Sequence, residues 1–335
     1  MSRKEKKNNK GIFKIIIFIF IIFIVAIGVF AFSKSTKKEV EEPNQTAQSE
    51  IKENIVKEPQ EEEEYYDETI QYANEYEEAI LKRTNKNNDY KIIEITGQKY
   101  HGYLTAIYDP SRIGVVATSQ IGKTGEYLTE ISKNNNALVA INGGGFVDAN
   151  FEGNGATPLG ITISNGIYLT QASAGKNYGI IGFDKQNKLI LGKYSVEETK
   201  NLGIRDAVTF GPYLIKDGKP VKDLGTAALG RAARTAIAQR ADGIVMFLVL
   251  DGDRTKGRGA VYEDIIEVLQ KYGAVNAANL DGGTSTSMTV HSKLVNDPTS
   301  MTGEARTREV STAFILKPDD SDNGDYSIVA DRVNK

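Results

Sequence analysis

The run Asn279-Leu280-Asp281-Gly282-Gly283-Thr284-Ser285-Thr286-Ser287 sets one carboxylate at the end of an apolar stretch, then two glycines and four small hydroxyl residues. Glycine lets a backbone approach a ligand closely and take positive φ. Hydroxyls and freed backbone amides can then hold a phosphate or sugar oxygen. Asp281 is therefore a candidate reacting group, with Gly282, Gly283, Thr284 and Ser285 around it as candidate donors. A second cluster, Asn142-Gly143-Gly144-Gly145-Phe146, follows the apolar run Ala137 to Ile141. It offers the amides of Gly143 and Gly144 and the Asn142 side chain, which carries both a donor and an acceptor. Asp251 closes a third apolar run, Gly243 to Leu250, in the turn Asp251-Gly252-Asp253. A carboxylate pair of this kind could hold a divalent cation, and a solvated turn is the competing reading.

Several chemistries are excluded. The chain has no cysteine and two histidines, His101 and His291, so thiol catalysis, disulfides and multi-histidine metal sites do not arise. Neither histidine sits in a glycine-rich motif. Thr284 and Ser285 have no His or Lys at a recognisable spacing to activate a hydroxyl nucleophile.

The carboxylate loops need elements to position them. Gly243–Leu250 reads as a buried strand, Val261–Tyr272 as a helix with one apolar face stopped by Gly273, and Ala274–Leu280 as another strand. Such a strand–helix–strand unit delivers Asp251 and Asp281 to one sheet edge if the strands are parallel and close. A second helix is expected over Glu126–Asn134. Strands are expected over Lys91–Thr96, Tyr103–Tyr108 and Ile113–Thr118. Asn165-Gly166, Asp217-Gly218 and Asp242-Gly243 each lie between apolar runs, the commonest hairpin signal. Strands outnumber helices without regular alternation, so the expected class is α+β: a mixed, strand-rich sheet domain with a few packed helices.

The N-terminal quarter is a different material. Residues 1–14 carry six basic side chains against one Glu, and Ile15 to Phe32 is unbroken and apolar, long enough to span a bilayer as a helix. The expectation is a basic cytosolic tail (1–14) and an uncleaved transmembrane signal anchor (15–32), with the N-terminus inside and the remainder outside the cell. Residues 33–68 hold 12 acidic and 5 basic residues and read as a disordered tether. Ile70, Ala73, Tyr76 and Ile80 add a short helix to this linker, taken as 33–90. The folded domain is expected over 91–318, with a C-terminal tail at 319–335. Of the net charge of −3, the tail contributes +5 and the tether −7, which leaves the rest nearly neutral. It therefore lacks the basic footprint of a nucleic-acid binder.

The ordered motifs carry a resemblance. Tyr108-Asp109-Pro110-Ser111-Arg112, Ala140-Ile141-Asn142-Gly143-Gly144-Gly145-Phe146, Pro158-Leu159-Gly160 before the Asn165-Gly166 turn, and Phe210-Gly211-Pro212-Tyr213-Leu214 come first. Arg234-Thr235-Ala236-Ile237-Ala238, Leu250-Asp251-Gly252 and Asn279-Leu280-Asp281-Gly282-Gly283 follow. Together they resemble the phosphodiester glycosidase family, that of the uncovering enzyme and of bacterial exopolysaccharide-biosynthesis proteins, over roughly Ile92 to Leu316. Ala238, where members often carry glycine, and Thr284-Ser285-Thr286, in place of Gly-Ser-Ser, are small-for-small departures.

The resemblance implies hydrolysis of the bond between a sugar C1 and a phosphodiester oxygen. The leaving group is then a phosphate ester, so strong general-acid assistance is less necessary than in an ordinary glycosidase. A carboxylate pair is the usual device for this chemistry, and Asp281 and Asp251 are the best pair. Asp281 takes the nucleophile or water-activating role, and Asp251 a supporting acid/base or substrate-hydroxyl role. Arg234 is the expected phosphate clamp, because a guanidinium can donate two parallel hydrogen bonds. Arg231 is its competitor, three residues earlier. Asn142 is expected on a sugar hydroxyl or carbonyl, and Phe146 or Tyr213 either on a sugar face or in the core. No cofactor is required, with a divalent cation as the open alternative. The expected partner is a glycan or glycolipid phosphodiester of the cell envelope, reached from the membrane through the anchor. Two competing functions are a non-catalytic glycan-binding or assembly module of the same fold and a metal-dependent phosphodiesterase that cuts P–O.

Overall fold

The computed structural model of the chain describes residues 71–82, 89–149, 153–170, 172–173, 175–224, 230–299 and 307–319, and the backbone of 330–332. The chain divides at Glu61/Glu62, and every described residue lies in the second unit. The expected anchor and tether fall outside the described residues. Among those described, no helix is long and apolar enough to cross a membrane.

Among the described residues, eighteen strands and four α-helices alternate irregularly. The first part runs α1 (Glu75–Leu81), β1 (Tyr90–Thr96), β2 (His101–Ile107), β3 (Ile113–Ala117), α2 (Leu128–Asn134) and β4 (Val139–Asn142). The middle holds β5 (Ile163–Ser164), β6 (Ile167–Tyr168), β7 (Tyr178–Asp184), β8 (Leu189–Tyr194), α3 (Val196–Asn201) and β9 (Ile204–Thr209). Then come β10 (Tyr213–Lys216), β11 (Lys219–Pro220), β12 (Arg234–Arg240), β13 (Val245–Leu250), α4 (Tyr262–Lys271) and β14 (Ala274–Asn279). β15 (Met288–Val290), β16 (Lys293–Leu294), β17 (Thr312–Leu316) and β18 (Ala330–Arg332) complete the set.

The strands form three sheets: an eight-stranded sheet ordered β11-β10-β14-β12-β13-β2-β1-β18, a five-stranded sheet β16-β15-β4-β17-β3, and a five-stranded sheet β6-β5-β9-β7-β8. Side chains alternate across a strand, and the large sheet uses both faces. Ile237, Phe247, Val249, Ala278 and Leu280 meet Ile141, Phe314, Phe183 and Val208 from the two smaller sheets. On its other face Ala236, Ala238, Met246 and Leu248 pack under α4, through Ile265 and Leu269, and under Ile80 of α1. This is a strand-rich α+β layering, as the strand excess implied.

Several elements differ from expectation for local reasons. α1 starts at Glu75 because Asn74 caps it, accepting from the amides of Tyr76 and Glu77. Ile80 is fully buried, so the folded unit begins inside the segment assigned to the linker. Likewise, the backbone of Ala330–Arg332 pairs in parallel with β1, within the expected tail. α2 begins two residues late, because Glu126 bridges to Val310 and its carboxylate accepts from Ser119. α3 was missed although Ser195 and Glu198 form a capping box, a signal legible in the sequence. The Asn165-Gly166 turn joins β5 to β6 with φ of 48° and 80°, as a two-residue hairpin requires.

Candidate active site

Strands β13 and β14 both run antiparallel to β12, so they are parallel to each other and end at one edge of the large sheet. Helix α4 makes the crossover between them. The two carboxylate loops therefore share an edge, but β12 separates them, which sets the strands roughly 10 Å apart.

Asn142 ends β4 in the second sheet and is fully buried. Its Nδ2 donates to the backbone carbonyl of Asp281 at 2.6 Å. Its Oδ1 accepts from Thr235 Oγ1 at 2.7 Å and from the Ser287 amide at 3.1 Å. The Asp281 amide in turn donates to Gly143 O at 3.1 Å. The Asn142 side chain thus knits three segments behind the Asp281 loop, which corrects the expectation that it binds a sugar.

The glycine amides are also committed. Gly143 N donates to Thr312 O, and Gly144 N to Thr312 Oγ1. Gly282 N donates to the Asp281 carboxylate itself, and Gly283 N to Ala233 O. These four amides build the site and are not donors to a ligand. The glycines are there for closeness: a Cβ on Gly143 would stand 2.6 Å from Thr312 Oγ1, and one on Gly145 2.7 Å from the Phe210 ring.

Burial pushes the Asp281 carboxyl up to about 6, against the opposing pull of the Ser285 hydroxyl, the Arg308 guanidinium and the Gly282 amide. The Asp148 carboxylate adds to the rise. Ser285 Oγ is buried and has no hydrogen-bond partner among the described residues. It stands near enough to favour the ionised carboxylate, although the geometry falls short of a hydrogen bond. Thr284, beside it, is part-exposed. A carboxyl pushed up to about 6 by burial, with an unpaired hydroxyl next to it, is an arrangement suited to catalysis.

Arg308 and Asp148 were not among the expected residues. Arg308 Nη1 donates to Asp148 Oδ2 at 2.9 Å and Nη2 to Gly153 O at 2.6 Å. The guanidinium lies 4.7 Å from the centre of the Phe146 ring, and Phe146 is itself buried core. Asp148 Oδ1 accepts from the Gly153 amide at 2.6 Å. Partial burial acts to raise the Asp148 carboxyl, but its hydrogen bonds from Arg308 and Gly153 hold it below the usual carboxylate range. No local motif marks either residue, because Arg308 is placed by a segment that pairs with Glu126 at Val310 and with Gly143 and Gly144 at Thr312.

Asp251 stands one strand away from Asp281 and makes its own contacts. Its Oδ1 accepts from Asn296 Nδ2 at 2.7 Å and its Oδ2 from the Asp297 amide at 3.0 Å. Burial raises its carboxyl, with those two hydrogen bonds opposing. Asn296 also donates to Thr286 O and accepts from the Met288 amide, so Asp251 anchors the far end of the Asp281 loop. Asp253 accepts from Thr255 and pairs with Lys256 at 2.9 Å, contacts that hold its carboxyl down at about 2. It is a turn residue. Among the described residues no group of three or more His, Asp or Glu is placed to hold a metal ion.

Arg234 is corrected as well. It is 8 % exposed, donates through Nε to Ala260 O and through Nη2 to Gly230 O, and lies 4.5 Å from the centre of the Tyr262 ring. Alternation along β12 sets it on the face opposite Thr235 and Asn142. Arg231 pairs with Asp264 and donates to Gly259 O. The Tyr213 hydroxyl donates to Gly192 O, and burial pushes it up to about 12, so its polar end faces inward. His101 pairs with Glu94, and His291 with the Tyr90 hydroxyl.

A family model described as phosphodiester glycosidase matches residues 135–317, which include Asn142, Asp281 and Arg308. An uncharacterised protein from the SPbeta prophage of Bacillus subtilis, YomE, is 28 % identical over 225 residues, 64 % of this chain. The chain spans 34 % of that relative's length. Among solved structures, the catalytic domain of zebrafish N-acetylglucosamine-1-phosphodiester alpha-N-acetylglucosaminidase, auto-inhibited by its pro-peptide, superposes with a TM-score of 0.57. It is 22 % identical, over 69 % of this chain and 83 % of that one. A hypothetical protein from Synechocystis gives 0.51 at 19 % identity, over 68 % and 61 %. These likenesses show a shared fold. The family match covers more than half of the chain, so this protein belongs to the phosphodiester glycosidase family.

Proposed function

We propose that the protein hydrolyses the sugar C1–O bond of glycosyl-1-phosphodiesters. The observation that carries the reading is the Asp281 carboxyl, raised to about 6 beside the unpaired, buried Ser285 hydroxyl. At neutral pH Asp281 is ionised and can face the positive charge that develops at C1 in an oxocarbenium-like transition state. A water oxygen bonds to C1, the C1–O bond breaks, and its electron pair leaves on the phosphate oxygen as a phosphomonoester. The water proton passes to Asp281 or, after covalent attack by Asp281, to solvent. Asp251 has a positioning role through Asn296 and the loop.

The test is hydrolysis of a model sugar-1-phosphodiester by the full chain in isotopically labelled water. Label in the sugar is expected. Label in the phosphate means P–O cleavage and overturns the reading, and binding without turnover leaves a glycan-binding module. Retention at C1 assigns covalent attack to Asp281, and inversion assigns it water activation.

The reading extends to place. The apolar stretch Ile15–Phe32, preceded by basic and followed by acidic residues, supports a single-pass membrane anchor with the domain outside the cell. Envelope or exopolysaccharide phosphodiesters would then be within reach. Protease shaving of intact cells tests this: the domain should be released while the N-terminal tail is protected.

A further inference from the structure

The site as expected lacks an anion-binding group, because Arg234 lies on the far face of β12 and the four glycine amides are occupied. Arg308 fits that role. A guanidinium carries five N–H donors, and among the described residues two of them have acceptors, Asp148 Oδ2 and Gly153 O. Three are left for a ligand. Its side chain is 19 % exposed, enough to meet one.

The position follows from backbone pairing. Asn142 is in register with Ala313, the amides of Gly143 and Gly144 bind Thr312, and Arg308 covers Phe146. The 308–313 segment therefore runs beside the ribbon whose Gly143 carbonyl holds the Asp281 amide. Orientation is fixed from three sides. Phe146 supports the plane of the guanidinium, Asp148 holds one edge, and the Gly153 carbonyl another. An unpaired buried donor, Ser285 Oγ, lies at the carboxylate that Arg308 helps to keep charged.

We propose that Arg308 binds the phosphodiester of the substrate, with Asp148, Gly153 and Phe146 fixing its orientation. This rests on the glycosyl-1-phosphodiester reading above. A fixed fork with open donors matches two phosphate oxygens at once, which a lysine cannot do.

The test is calorimetric binding of two probes to the full chain at neutral pH: a non-hydrolysable glycosyl phosphonate monoester, which keeps one negative charge, and the methyl glycoside of the same sugar. Arg308→Gln should weaken phosphonate binding on the order of 100-fold and leave the methyl glycoside within about twofold. Arg308→Lys should recover part of the loss, and Asp148→Asn should lose a few-fold for the phosphonate alone. Equal weakening of both probes would mark a structural role and overturn the proposal, as would wild-type phosphonate affinity in Arg308→Gln. If Arg308→Gln does not fold, the Arg308→Lys and Asp148→Asn comparisons decide in the same way. Phosphonate binding that depends on Arg308, in a protein that fails to hydrolyse the diester, upholds the proposal and sinks the activity.

Discussion

The side-chain amide of Asn142 donates a 2.6 Å hydrogen bond to the backbone carbonyl of Asp281, so the Asp281 loop is held in place by a residue from another sheet. The same side chain accepts from Thr235 and from the Ser287 amide. Asn142→Ala leaves three buried polar groups unpaired, at about 1–3 kcal/mol each before relaxation. The expected outcome is a stability loss of about 3–5 kcal/mol in urea unfolding, with turnover falling in the fraction that remains folded. An unfolding midpoint equal to wild type would show that the clasp contributes nothing.

Asp281→Asn should lower kcat on the order of 10³-fold while the fold persists. Wild-type activity should rise with pH through about 6, as the carboxyl ionises. Stability moves the other way. A carboxyl raised in the folded state holds a proton that the unfolded chain has released, so its contribution is complete below about pH 4 and is lost as pH rises through about 6. Asp281→Asn should therefore be more stable than wild type by ~1–3 kcal/mol at pH 8. The two should converge in acid, and thermal melts across the pH range check the crossover.

Asp251→Asn separates anchoring from chemistry. Both carboxylate oxygens accept hydrogen bonds, from Asn296 and the Asp297 amide, and an amide can accept at only one position. A loss of about 1–3 kcal/mol in stability is expected, with kcat within about tenfold of wild type. A kcat loss as large as that of Asp281→Asn would restore Asp251 to the chemistry.

Arg234→Met keeps the apolar stem but removes a charge packed on Tyr262 and two donors to backbone carbonyls. It should cost about 2–4 kcal/mol of stability and leave KM for a phosphodiester unchanged in the folded fraction. A raised KM with unchanged stability would return the phosphate to Arg234.

Much of this architecture was legible in the chain. The β13–α4–β14 unit carried its own signature in a buried run, a capped amphipathic helix and a second run, and it brought Asp251 and Asp281 to one edge. What the pattern could not carry was the intervening strand: β12 lies between them by non-local pairing, which sets the two carboxylate loops a strand apart. The tight, polar loop around Asp281 was legible because glycine and hydroxyl residues mark it. Arg234 was misread because type and neighbourhood say nothing of which sheet face a side chain takes. Arg308 went unseen for the converse reason. Its role depends on Phe146 and Asp148, 160 residues away along the chain, and no window of sequence spans that distance.

Strand β17 slots between β3 and β4 in the second sheet. Its first residue, Thr312, grips Gly144 across 168 residues. During synthesis Asp281 and Asn142 both leave the ribosome before that strand exists, and the segment bearing Arg308 comes just ahead of it. The Asn142–Gly144 ribbon that holds the Asp281 loop is thus closed on its other side only by a strand made late, β17.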